Sequence, residues 1–216
     1  MLEQVRQLLD RTRDLFFRYG IKSMTMDDIA RQLGMSKKTI YTHFPDKKTM
    51  LKAMMSDFLQ CHYQEVQQAK QDSSNAIEEM FVIAGLGMER MDKITPGFIF
   101  DLRKYHGDIW ATFETFRNTA IYQEVTSNIR RGISEGLFRE DVDIEIAAHM
   151  HIQHLNLIVD PGSFAQTNRS VRTILYTIMI TFIRGLATAK GLKELDKIMA
   201  STPIFDQSNP INTIQS

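Results

Sequence analysis

The chain has 216 residues, 43% of them hydrophobic, with only 11 glycines and 5 prolines. That composition excludes an intrinsically disordered chain and favours helices over a sandwich or barrel, so it predicts an all-α fold. The formal net charge is zero, with 26 basic and 26 acidic residues, but the charge is unevenly spread. Residues 1–50 hold ten bases against six acids, a surplus of four that residues 51–216 must cancel. A basic head on an acidic body suits a phosphate-binding module carried on a separate scaffold.

The first predicted helix covers Leu2 to Tyr19, with Val5, Leu8, Leu9, Thr12, Leu15 and Phe16 at helical spacing. Its opening residues alternate acids and bases and lack the apolar stretch of a secretory leader. Gly20 follows where a left-handed cap is needed. Thr25 and Asp28 form a capping box for a second helix that buries Ile29, Ala30 and Leu33 and stops at Gly34. Ser36 caps a third helix reaching Phe44, with Ile40 and Phe44 inward. Asp46 caps the start of a fourth. A tight, glycine-containing turn between the second and third helices is the helix-turn-helix plan. The outward face of the third helix offers Lys37, Lys38, Thr39, Tyr41, Thr42 and His43 without one carboxylate, where a solvated face normally mixes signs.

Residues 12–51 resemble the DNA-binding signature of the TetR/AcrR family of transcriptional regulators. The residues that carry the resemblance are Leu15-Phe16, Gly20, Thr25, Ile29-Ala30 and Gly34-Met35-Ser36. They continue with Thr39-Ile40-Tyr41, His43-Phe44, Lys47 and Leu51. Thr12 and Leu33 stand where the family usually has alanine, and Lys38 where a small residue is common. The resemblance implies an N-terminal three-helix DNA-binding domain over 1–50. A larger helical effector-binding and dimerisation domain would follow over 51–200, with a frayed tail over 201–216. The third helix would enter the major groove of a near-palindromic operator. Lys37, Lys38 and Thr42 would face base edges, while Thr25, Ser36, Thr39, Tyr41, His43 and Lys47 would meet phosphates. For Tyr41 and His43 the alternative is an aromatic pair packing the small domain.

The rest of the chain predicts helices over 51–70, 74–93, 96–105, 108–135, 143–159, 168–189 and 192–199. The breaks fall at Thr95-Pro96-Gly97, His106-Gly107, Gly136 and Asp160-Pro161-Gly162. The longest apolar stretch, 174–186, is interrupted by Tyr176, Thr177, Thr181 and Arg184, so no membrane span is expected. Cys61 stands alone, which rules out an internal disulfide and suits a reducing cytoplasm.

In the family, the middle helices enclose a small apolar or amphipathic effector. Here they carry Phe81, Met88, Met91, Phe98, Trp110, Phe113 and Phe116, spacings that equally suit an ordinary core. The family pairs two C-terminal helices of each subunit into a homodimer. The corresponding residues here are Ala147, Ala148, His151 and Leu155, then Ile174, Leu175, Ile178 and Phe182, whose stripe could instead complete the chain's own core. His149, His151 and His154 lack supporting ligands, so no metal is expected. No phosphate loop or nucleophile elbow is present, and neither a catalytic residue nor a cofactor is expected. The function predicted is a ligand-responsive regulator acting as a repressor. The alternative is a constitutive DNA-binding dimer without an effector.

Overall fold

A computed structural model describes residues 2–160 and 162–201. Among these, the chain is helical throughout, with one isolated antiparallel bridge between Phe138 and Ala187. The head is built from α1 (Leu2–Tyr19), α2 (Met26–Leu33) and α3 (Lys37–His43). Local chemistry sets each boundary. Gly20 and Gly34 take φ values of 81° and 66°, which a side chain would strain. Thr25 and Asp28 cap each other's backbone at the start of α2, and the Ser36 hydroxyl accepts the Thr39 N–H at the start of α3.

α4 (Lys47–Asp72) is capped by Asp46 and runs unbroken past residue 50. The segments expected as a fourth helix and a helix over 51–70 are therefore one rod, rooted in the head and extending into the body. α5 (Ala76–Met91), α6 (Pro96–Tyr105) and α7 (Gly107–Phe116) follow. The helix expected over 108–135 is interrupted: a π-helical turn at Arg117–Ile121 separates α7 from α8 (Tyr122–Ser134). α9 (Ile144–Ile158), α10 (Val171–Leu186) and α11 (Ala189–Ser201) complete the body. α10 is shorter than expected because Ser170 accepts the Thr173 N–H and fixes its start. The tail expected over 201–216 lies, from residue 202 onward, outside the described residues.

Two apolar clusters hold these helices. The first joins Phe16, Ile21, Ile29, Ile40, Met50, Leu51 and Met54 to Phe98, Leu102 and Trp110, so the head shares its core with α6 and α7. The second gathers α5, α8, α9 and α10 around Ile77, Ile129, Phe138, Ala148 and Ile183. Its far end is fastened by Arg131, which reaches Glu79 and Glu135 at 2.7 Å each and the Ser73 carbonyl at 3.0 Å.

Candidate nucleic-acid interface and apolar cavity

The α3 face matches its sequence pattern in one respect: Ser36, Lys37, Lys38, Thr39, Tyr41 and Thr42 are all exposed, and His43 is half-buried. Tyr41 projects its ring into solvent at 46% exposure, which removes the reading of a packed aromatic pair. Lys37 reaches Asp27 of α2 at 2.6 Å, but both groups are exposed, so a phosphate can replace that carboxylate at little cost. Thr42 donates to the Lys38 carbonyl at 2.8 Å and Ser36 shares a hydrogen bond with Thr39 at 2.7 Å. Thr25 is exposed but already bonded to Asp28, through both its N–H and its hydroxyl.

Lys47 is placed differently from the phosphate contact expected of it. Its ammonium is partly buried and donates to the Ile21 carbonyl at 2.9 Å and the Met24 carbonyl at 2.8 Å. Partial burial lowers its pKa, which Asp101 partly restores. The side chain stitches the loop between α1 and α2 onto the root of α4. No sequence signal marked these partners, because they lie more than twenty positions away.

A cavity of about 240 Å³ lies between the two apolar clusters. Of the residues expected to line it, Met88, Met91, Phe98, Trp110, Phe113 and Phe116 do so. Phe81 does not: it is 3% exposed within the second cluster. The sequence reading missed the polar part of the wall, which comprises His62, Arg90, Arg117, Glu124, Asn128 and His151. Arg90 pairs with Glu65 and sits 2.8 Å from His62, whose other nitrogen is 3.4 Å from Glu124. Burial pushes His151 down to about 4, so its imidazole is neutral near pH 7.

The cavity and the head meet at α6. Phe98, Ile99 and Leu102 of this helix line the cavity. From the same helix, Asp101 accepts the Lys22 N–H at 2.7 Å. At its N-cap, Thr95 donates its N–H and hydroxyl to the Phe17 carbonyl at 3.0 and 2.8 Å. Lys48 and Lys52 of α4 close on Asp108 of α7 at 3.1 and 2.9 Å, holding its carboxyl well below the usual range.

Residues 8–54 match the family described as "Bacterial regulatory proteins, tetR family". Over 196 residues the chain is 27% identical to the uncharacterized HTH-type transcriptional regulator YvaF of Bacillus subtilis, covering 84% of this chain and 94% of that one. The head thus carries the TetR-family signature, and most of the chain is similar to an HTH-type transcriptional regulator. It is also 24% identical to the HTH-type transcriptional repressor KstR2 of Rhodococcus jostii, over 65% of this chain and 71% of that relative. Its fold is shared with the transcriptional regulator FadR of B. subtilis, solved in complex with stearoyl-CoA. There the TM-score is 0.62 at 14% identity, covering 83% of this chain and 98% of that one.

In the body, the residues expected at a dimer interface fall into separate places. Ala147, Ala148 and Phe182 are buried in the chain's own core, because α9 and α10 turn their small and aromatic positions toward α5 and α8. His151, Leu155, Leu175 and Ile178 line the cavity, and Ile174 is half-buried. The outward faces carry other residues: Ile146, His149, Met150, Gln153 and Leu157 on α9, and Val171, Thr177 and Thr181 on α10. Ile146 is 60% exposed and Met150 53%. Their i, i+4 spacing made them readable as a second stripe, but the more apolar stripe beside it drew the assignment. No helix among the described residues is long and apolar enough to cross a membrane.

Proposed function

We propose that this regulator is a homodimeric repressor whose grip on operator DNA is loosened by a small apolar or amphipathic effector in the cavity. The observation that carries the reading is α6, a single ten-residue helix that lines the cavity on one side and bonds the head on the other. A ligand pressing on Phe98 or Leu102 displaces Asp101 and Thr95 with them, because a short rigid helix moves as a unit. Two heads reading one operator must sit about 34–36 Å apart, one turn of DNA, so a small tilt of each spoils the match. The Thr95-Pro96-Gly97 break therefore works as a coupling joint tied to Phe17.

In this reading residues 1–50 read DNA and 51–200 bind effector and partner, in the cytoplasm. Lys37, Lys38 and Thr42 address base edges, while Ser36, Thr39, Tyr41 and His43 address phosphates. Thr25 contributes the N-terminus of α2, and Lys47 supports the head from within. The stearoyl-CoA bound by FadR supports an apolar effector for a body of this fold. The test is reciprocal titration. An operator duplex is first selected from random sequences with the purified protein. Its affinity is then measured with and without an apolar ligand, and the ligand's affinity with and without the duplex. Each should weaken the other by the same factor, about 5–150-fold. Ligand binding that leaves DNA affinity untouched would support a constitutive binder and remove the switch.

A further inference from the structure

Arg117 is 5% exposed and lines the cavity, yet its Nε and Nη1 have no hydrogen-bond partner. Its third nitrogen, Nη2, is 4.0 Å from Glu114, a half-exposed carboxylate on the outer side of the same helix. The guanidinium stands 5.4 Å from the centre of the Phe113 ring, a contact that satisfies no N–H. The other semi-buried arginines are treated differently: Arg131 is met by Glu79 and Glu135, and Arg90 by Glu65 and His62. A guanidinium cannot shed its proton, so leaving two of its N–H groups dry is costly unless something else fills them. Arg117 also opens the π-helical turn. Arg117 and Ile121, at the two ends of that turn, both stand on the cavity wall. Such turns recur at functional positions because they carry a helix cost.

We propose that Arg117 anchors an anion inside the cavity, and that the effector is an apolar molecule ending in one carboxylate. This rests on the effector reading above and names its chemical class. Either free donor, Nε or Nη1, forms a two-pronged edge with Nη2, whose contact to Glu114 is long at 4.0 Å; such an edge suits an acceptor with two oxygens, and a carboxylate supplies them at the end of an apolar body. The other polar groups on the wall set the charge. Glu124 lines the same cavity seven residues on, with its Oε1 unpartnered, and Asn128 likewise presents an unpartnered Oδ1. His151 is neutral and adds no second cation. Arg90, the other guanidinium on the wall, is already paired with Glu65, so Arg117 is left to meet an anion, and Glu124 nearby disfavours the multiple charge of a phosphate.

The test uses the full chain in calorimetric titrations with decanoate, decan-1-ol and decanoyl-CoA. Decanoate should bind at least about tenfold more tightly than decan-1-ol. Arg117→Met should erase that difference while still binding the alcohol, and Arg117→Lys should keep part of it. Without ligand, Arg117→Met should melt above the wild type, because it removes an unpaired buried charge. A purely structural arginine would give the opposite shift, and a lower melting temperature with the acid preference intact overturns the proposal. Equal affinities for acid and alcohol in the wild type would leave the cavity as an effector site and overturn the anchor alone. If neither binds, the effector reading falls and takes the anchor with it. A thioester that binds more tightly than the acid, with the same dependence on Arg117, would move the anchor to phosphate and overturn the carboxylate assignment.

Discussion

Lysines 38 and 47 look alike in the sequence, two cations nine residues apart in a basic head, but they do different work. Lys38 stands exposed on the outward face of α3. Lys47 spends its ammonium on two carbonyls of the α1–α2 loop. In the proposed reading, removing Lys38 deletes a cation facing the DNA and leaves the fold alone. Removing Lys47 leaves two partly buried acceptors bare, together a loss of about 1–3 kcal/mol. Lys47→Met should therefore lower the urea-unfolding free energy by about 1–3 kcal/mol, and its DNA affinity should keep the wild-type salt dependence. Lys38→Ala should leave stability within about 0.5 kcal/mol and flatten the salt dependence by about one unit of slope. The reverse pattern would return Lys47 to the phosphate backbone. The contrast also explains what was readable beforehand. Thr25, Ser36, Asp46, Gly20 and Gly34 act on neighbours within a few positions, so their roles follow from local spacing. Lys47 takes its role from the distant α1–α2 loop, and Arg117 and His151 take theirs from a cavity wall assembled by several helices, and no local pattern announces those.

At the scale of elements, α6 is the piece whose position matters most to the proposed switch. Of its apolar face Phe98 was legible, and Pro96 marked its start. Its second duty was not, because Asp101 looks like any acid on a helix until the fold brings Lys22 against it. Asp101 is 9% exposed, and its carboxylate also sits against Gly20, where a Cβ would meet it at 3.2 Å. This charge-assisted bond transmits a displacement of α6 to the loop that positions α2 and α3. Asp101→Ala should leave effector binding near its wild-type value, since the residue does not line the cavity. The coupling between effector and operator should shrink from about 1–3 kcal/mol toward zero. Both affinities come from the reciprocal titration already described. Full coupling in a folded Asp101→Ala protein would place the transmission elsewhere, with the Lys48–Lys52–Asp108 cluster as the next route.

For the whole molecule, the question is how one short helix finds a site among many competitors. Seven residues of α3 contact only a few base pairs, too little discrimination for a single head. Two heads joined by a two-fold axis double the contact, and the join must be rigid enough to fix their separation. The outward faces of α9 and α10 have the composition for it. Ile146, Met150 and Leu157 are exposed on one helix and Val171 on the other, with the polar His149, Gln153, Thr177 and Thr181 among them. Four helices from two subunits would bury these residues in a self-complementary bundle. Ala147, Ala148 and Phe182 then support the face from behind, inside each chain.

This arrangement makes a choice between stripes that the sequence left open, and a pair of charge insertions reads it out. Met150→Glu places a carboxylate at the centre of the exposed face, where a single chain tolerates it because the side chain is 53% exposed. The protein should keep its helical circular dichroism, sediment as a monomer at micromolar concentration, and lose specific but not weak, salt-sensitive DNA binding. Tyr63→Glu, equally exposed on α4 but away from this face, should remain a dimer with wild-type affinity. Ala148→Glu should instead unfold the body, because it buries an unpaired charge at a position with no exposure at all. A Met150→Glu protein that stays dimeric and binds its operator as before would place the two-fold axis on another surface.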